Sequence, residues 1–231
     1  MAISAGTLIG AGWEVLQRRW RLLALAGLLV ALVQAGQRVL DGYTTNQPLT
    51  QALPQLLFIT LLGALLQNMI LAIVIRQLLL REGLADPDVP PRYGAFVLIN
   101  LLIILAVWLG LVLLVVPGVL LLLRWFIAPA FTLSRGMSVM EALAASREAT
   151  HGHRGAMLGA LLALIAVWLV PYVLLMIGVG VLAFNTVPIL GGVGLARLAL
   201  SGLAGSLSLA FGIGVFRTLV HDKDPLSEVF A

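Results

Sequence analysis

Val116-Pro117-Gly118-Val119-Leu120-Leu121-Leu122-Leu123-Arg124-Trp125 is the stretch that decides how this chain folds. A Pro-Gly pair, which favours a turn, stands between two long apolar runs. An arginine then follows inside the second run. That pattern fits a membrane hairpin carrying an intramembrane charge better than it fits a soluble core.

The rest of the sequence agrees. The chain has 231 residues, of which 61% are hydrophobic and only 10% charged, and its mean hydropathy is +1.09. A soluble domain carries about 25% charged residues, so a soluble fold of this size would lack the polar side chains to cover its surface. Repeated long apolar runs instead predict an all-α, polytopic membrane helix bundle, with residues 1–231 forming a single integral membrane domain. Six transmembrane spans are expected at about 22–40, 52–80, 94–116, 119–133, 156–184 and 193–220. Pro117-Gly118 turns the chain between the third and fourth.

Met1–Gln17 reads as a small-residue lead-in, and Asp41–Gln51 and Asn185–Gly192 as short outer connections. The tail His221-Asp222-Lys223-Asp224-Pro225 reads as polar and exposed. Arg18-Arg19 before an apolar run looks superficially like a twin-arginine export signal. More membrane follows, however, rather than a cargo, so an anchor for the first span is the better reading. Arg81–Arg92 is strongly hydrophilic. Ser138-Val139-Met140-Glu141 has the Ser-x-x-Glu form of a capping box, which predicts a cytoplasmic interfacial helix at about 138–150 with Met140, Leu143 and Ala144 on lipid.

Basic residues fix the orientation. With both termini inside, Arg18, Arg19, Arg21, Arg76, Arg81, Arg92, Arg135, Arg147, Arg154, Arg217 and Lys223 all fall on the cytoplasmic side, eleven of the fourteen Lys and Arg residues. Their clustering at span ends points to the membrane surface rather than nucleic acid. Arg76, near the inner end of span 2, is expected to snorkel to the interface.

Arg38, Arg124 and Arg197 stand apart from this pattern. An arginine at mid-span costs about 2.5–3.5 kcal/mol on insertion scales, and no span interior offers Arg124 or Arg197 an acidic partner. The two are expected at comparable depth from the outer side, with Gln34 and Gln37 near them. They could line a pocket for an anionic head group, or each could tie helices together through carbonyls. Small residues also recur at helical spacing. Gly155 and Gly159 lie on span 5, and Ser201, Gly205, Ser208 and Gly212 on span 6, where they are expected to serve helix packing or docking.

Chemistry is less visible. The chain has no cysteine, which removes thiol catalysis and thiolate metal sites. His151 and His153 do not share a helix face, and no third metal ligand accompanies them. Gly191-Gly192-x-Gly194 follows no βα unit, so it is not a dinucleotide fingerprint. No nucleophile–base pair is evident.

Pro117-Gly118, Arg124, Pro129, Ser138, Glu141-Ala142, Ser146, Thr150 and Gly152 together resemble the pattern of the YciC-like bacterial inner-membrane proteins. They also resemble the membrane domain attached to some glycerophosphoryl diester phosphodiesterases. The local likeness covers about residues 116–155. It implies a six-span protein of the bacterial inner membrane with a role in lipid or envelope handling. Such proteins often carry an acid just after span 4, where this chain has Ser134-Arg135, so any role of that acid does not transfer. No phosphodiesterase domain is present, and no hydrolase activity is implied. The expectation is a non-enzymatic protein, without cofactor or metal, that binds or moves an anionic lipid or amphiphile. The alternative is an accessory or scaffold subunit of a larger membrane complex or homo-oligomer.

Overall fold

The computed structural model describes residues 3–44, 48–113, 115–182 and 192–221. Among these the chain is helical, with no strand. Its helices are α1 (Ala5–Thr44), α2 (Leu49–Arg81), α3 (Tyr93–Leu113), α4 (Val115–Trp125), α5 (Ala128–Ser134), α6 (Val139–Ala149), α7 (Arg154–Leu182) and α8 (Gly192–His221). Six segments are long and apolar enough to cross a membrane, the fourth being α4 and α5 taken together. The chain is a multi-pass membrane protein. Asn46, most of the turn at Asn185–Gly192, the end of span 5 at Phe184 and the tail from Asp222 lie outside the described residues.

The spine of the bundle is the antiparallel pair α1 and α8. Lipid offers helices no hydrophobic reason to associate, so close backbone approach must supply the packing. Here Gly27 meets Gly202, and Gly12 meets Phe211 and Gly214. Between these two crossings the Ser206 hydroxyl donates to the Leu23 carbonyl at 2.8 Å and to the Gly202 carbonyl at 2.9 Å.

The crossing at Gly12 corrects the sequence reading of Met1–Gln17 as a lead-in. Those residues are helical from Ala5, and Leu8, Ala11 and Val15 are buried. Their small neighbours are there for packing, not for linking. The same helix runs on through Asp41, so the outer connection is shorter than expected. α1 departs from helical geometry at Arg19 (φ −123°, ψ 22°). At that kink the Arg19 guanidinium bonds Glu82 at 2.9 Å and the Arg81 carbonyl at 2.8 Å. Glu82 is also 3.6 Å from Arg217, which pairs with Glu14 at 2.7 Å. These four charges join α1, α2 and α8 at the basic end of the bundle.

Two further corrections concern the hairpin. Chain reversal occurs between α3 and α4, ahead of the Pro-Gly pair, and Pro117 sits in the first turn of α4. A proline costs little there, because its missing N–H has no partner in a first helical turn. Gly118 instead lets α4 approach Gly110 of α3, where a Cβ on Gly110 would lie 2.6 Å from the Gly118 Cα. The fourth span is also not continuous. It breaks at Phe126–Ile127 and restarts as α5, with Pro129 in its first turn.

Arg76 does not snorkel. It is only 5% exposed, and its guanidinium donates to three carbonyls. These are Leu133 at the end of α5, and Asp86 and Val89 in the α2–α3 loop, the last two at 2.7 Å. A planar five-donor fork can serve three carbonyls from two segments at once. Beside it the Arg92 N–H donates to the Thr132 carbonyl at 3.3 Å.

Helix α6 starts where the capping box predicts. The Ser138 N–H donates to the Glu141 carboxylate at 2.8 Å, and the box closes from both sides. That backbone bond holds the Glu141 carboxyl below its ordinary range, so this cap is present at neutral pH and is lost as the pH falls through the depressed value. One face of α6 packs onto the bundle, and of the three residues expected on lipid Leu143 belongs to that face while Ala144 is exposed. Ala142, Ser146 and Ala149 are buried, and Leu143 packs against the core. Met140 remains 74% exposed.

Two predictions test this packing. Gly202 and Gly205 both lie within α8, so replacing either by alanine gains a similar helix propensity, up to about 1 kcal/mol. A Cβ at Gly202 would meet the Gly27 carbonyl oxygen at 2.9 Å, whereas one at Gly205 has nothing within 4 Å. Gly202→Ala should therefore lower the unfolding midpoint in detergent, by an overpacking cost of roughly 1–3 kcal/mol, while Gly205→Ala should hold or raise it. Arg76→Lys should destabilise because an ammonium cannot span the same three carbonyls, each orphaned one costing about 1–3 kcal/mol. Arg81→Lys, at an exposed position, serves as the control and should be near neutral in the same melt.

Candidate functional site

The interior of the bundle is not filled. A cavity of about 280 Å³ lies between α1, α2, α3, α8 and the α4–α5 break. Its walls include Val30, Leu71, Phe96 and Ala130, with Gln67 and Asn100 as its amide side chains. A second cavity, of about 410 Å³, lies between α1, α7 and α8, lined by Gln34, Leu164, Trp168, Ser201 and Ala204 among others. Phe126, Gly205 and Ser208 line both. We call the first the inner and the second the outer cavity.

Helix periodicity explains the walls. α8 carries two neighbouring stripes of small residues, each at helical spacing. One, with Gly202, Ser206 and Gly214, packs on α1. The other, with Ser201, Gly205, Ser208 and Gly212, faces the cavities. The sequence reading assigned that second stripe to helix packing or docking. The structure gives Gly205 and Gly212 open space instead. On α7 the expectation divides. Gly159 packs tightly, its Cβ position 3.2 Å from Ala5, and Gly155 is open.

The two intramembrane arginines do not share a site. Phe126, two residues after Arg124, meets Phe211 edge-on with ring centroids 5.7 Å apart. The stretch of α8 from Arg197 to Phe211 spans roughly 21 Å at the helical rise. Arg124 and Arg197 are thus at different depths, contrary to the expectation of a common pocket. The error came from placing Arg124 by its distance from Pro117-Gly118, when that pair lies inside α4 and the reversal lies earlier. The Arg124 carbonyl accepts the Ser146 hydroxyl of α6 at 2.8 Å, and Arg124 lines neither cavity.

Arg197 is better placed. It lines neither cavity itself, but it stands one helical turn before Ser201, a wall of the outer cavity, and its guanidinium reaches the Tyr172 hydroxyl at 3.4 Å. Tyr172 stacks on Trp168, a wall of that cavity, with centroids 5.2 Å apart and planes 15° from parallel. The Nε of Arg197 is buried and has no hydrogen-bond partner, and the same holds for Nε of Arg124. Gln34 lines the outer cavity. Gln37 does not take part: it lies across Gly63, tying α1 to α2.

Sequence reasoning missed the inner polar group. The Asn100 amide donates to Asn68 at 3.1 Å, and the Asn68 amide donates to the Ala64 carbonyl at 2.9 Å. The four-residue repeat of Ala64, Asn68, Ala72 and Arg76 predicts one small-polar face on span 2, but nothing in the sequence pairs Asn68 with Asn100. Among the described residues no group of three His, Asp or Glu side chains could hold a metal ion. The site can therefore offer a cation and a few amides above apolar walls.

Comparison with protein-family models, with curated proteins and with solved structures finds no match to this chain.

Proposed function

We propose that this chain is a non-enzymatic protein of the bacterial inner membrane that binds or moves an anionic lipid or similar amphiphile. In this reading the outer cavity takes the alkyl chain and Arg197 the head group. Both termini face the cytoplasm, as the crowding of basic residues at one end suggests.

The observation that carries the reading is the position of Arg197. A guanidinium with an unpaired buried Nε bonds Tyr172, whose ring stacks on Trp168, a wall of a cavity with mostly apolar lining. Cation and apolar volume in that order match the two ends of an amphiphile. A guanidinium also suits phosphate and carboxylate better than an ammonium does, because it presents a planar fork of donors. A small polar solute would leave the apolar walls of Leu164, Ile165 and Trp168 unused. The likeness to the YciC-like proteins points the same way.

Native mass spectrometry of protein extracted gently from its own membrane tests this reading. The wild type should retain an anionic lipid, Arg197→Ala should lose it while remaining folded, and Arg124→Ala should keep it. Loss on Arg124→Ala with retention on Arg197→Ala would refute the assignment. A stoichiometric protein partner with no retained lipid would support the accessory-subunit alternative instead.

A further inference from the structure

Phe126 occupies a position that the amphiphile reading leaves unexplained. It is one of the two non-helical residues between α4 and α5, and it lines both cavities. Across from it, Gly205 has no side chain and nothing within 4 Å of its Cβ position. The edge-on contact with Phe211 fixes one side of the ring. The ring therefore lies where the two volumes adjoin, opposite the Gly205 and Ser208 wall that both share.

We infer that Phe126 is a specificity-determining residue that sets how deeply a single alkyl chain enters the bundle. The inference rests on the amphiphile reading of the outer cavity. A chain descending past Trp168 and Ser201 meets the Phe126 ring and ends there. Beyond the ring the inner cavity adds about 280 Å³ of space. It also holds the uncharged amides of Gln67 and Asn100, which suit a chain end poorly. The ring thus does two things: it limits chain length and it keeps the chain away from the Asn68–Asn100 pair.

The helix break makes this arrangement possible. In a continuous helix a ring at this position would be confined by side chains three and four residues away. At the break Phe126 belongs to neither helix, and it lines both cavities.

The test is a binding series with straight-chain alkyl phosphates of increasing length, titrated into the detergent-solubilised full chain. Wild type, Phe126→Ala, Phe126→Leu and Phe126→Trp are compared, with a thermal melt of each. For the wild type, affinity should rise about fourfold with each added methylene, since a buried CH₂ is worth about 0.8 kcal/mol, and then level off. Phe126→Ala should move the plateau to longer chains, Phe126→Leu by less, and Phe126→Trp to shorter ones. If Phe126→Ala does not fold, the Leu and Trp variants still bracket the wild type from both sides. A plateau at the same length in every folded variant, with binding intact, would overturn the role of Phe126 and leave the amphiphile reading standing. Absence of binding by the wild type across the series would overturn that reading and this inference with it.

Discussion

A helix that breaks inside a membrane must find new hydrogen-bond partners for the backbone groups it releases, because no water is there to take them. The fourth span breaks at Phe126–Ile127, and Pro129 removes a further donor. The surrounding structure answers this constraint group by group. Ser146 of α6 donates to the Arg124 carbonyl just before the break. Thr132 donates back to the Pro129 carbonyl at 2.8 Å. Arg76 closes the far end of α5 through the Leu133 carbonyl, and the Arg92 N–H takes the Thr132 carbonyl. Much of the sequence between Arg76 and Thr150 acts to make one break tolerable.

That arrangement also gives Arg76 a role opposite to that of a surface anchor. A lone buried guanidinium is costly, and three carbonyls around it offset much of that cost. The same side chain ties the α2–α3 loop to the end of α5. The Glu14, Arg19, Glu82 and Arg217 network holds α1, α2 and α8 at the basic end. The cavities lie beyond these ties, at the α4–α5 break.

The large features were legible in the sequence because they depend on composition and period. The apolar runs located six spans, and Ser138 with Glu141 located the start of α6. What failed depended on partners. Met1–Gln17 looked like a lead-in because small residues serve equally in connecting segments and in tight helix crossings. The two stripes of α8 differ by one residue in phase and hardly in composition, so nothing in the chain itself said which would pack and which would face a cavity. Arg76 looked like an anchor because its carbonyl partners are backbone groups, which leave no mark in a sequence. Arg124 and Arg197 looked like a pair because depth was counted from Pro117-Gly118, and the observed reversal precedes it.

The central claim is that the space beneath Arg197 is a place for a guest and not a gap in packing. A high-resolution structure of the protein in a lipid nanodisc tests it most directly. The account predicts elongated density running from Arg197 and Tyr172 past Trp168 and Ser201 toward Phe126. Walls closed upon themselves, with another side chain packed against Gly205 and no density between α1, α7 and α8, would contradict it.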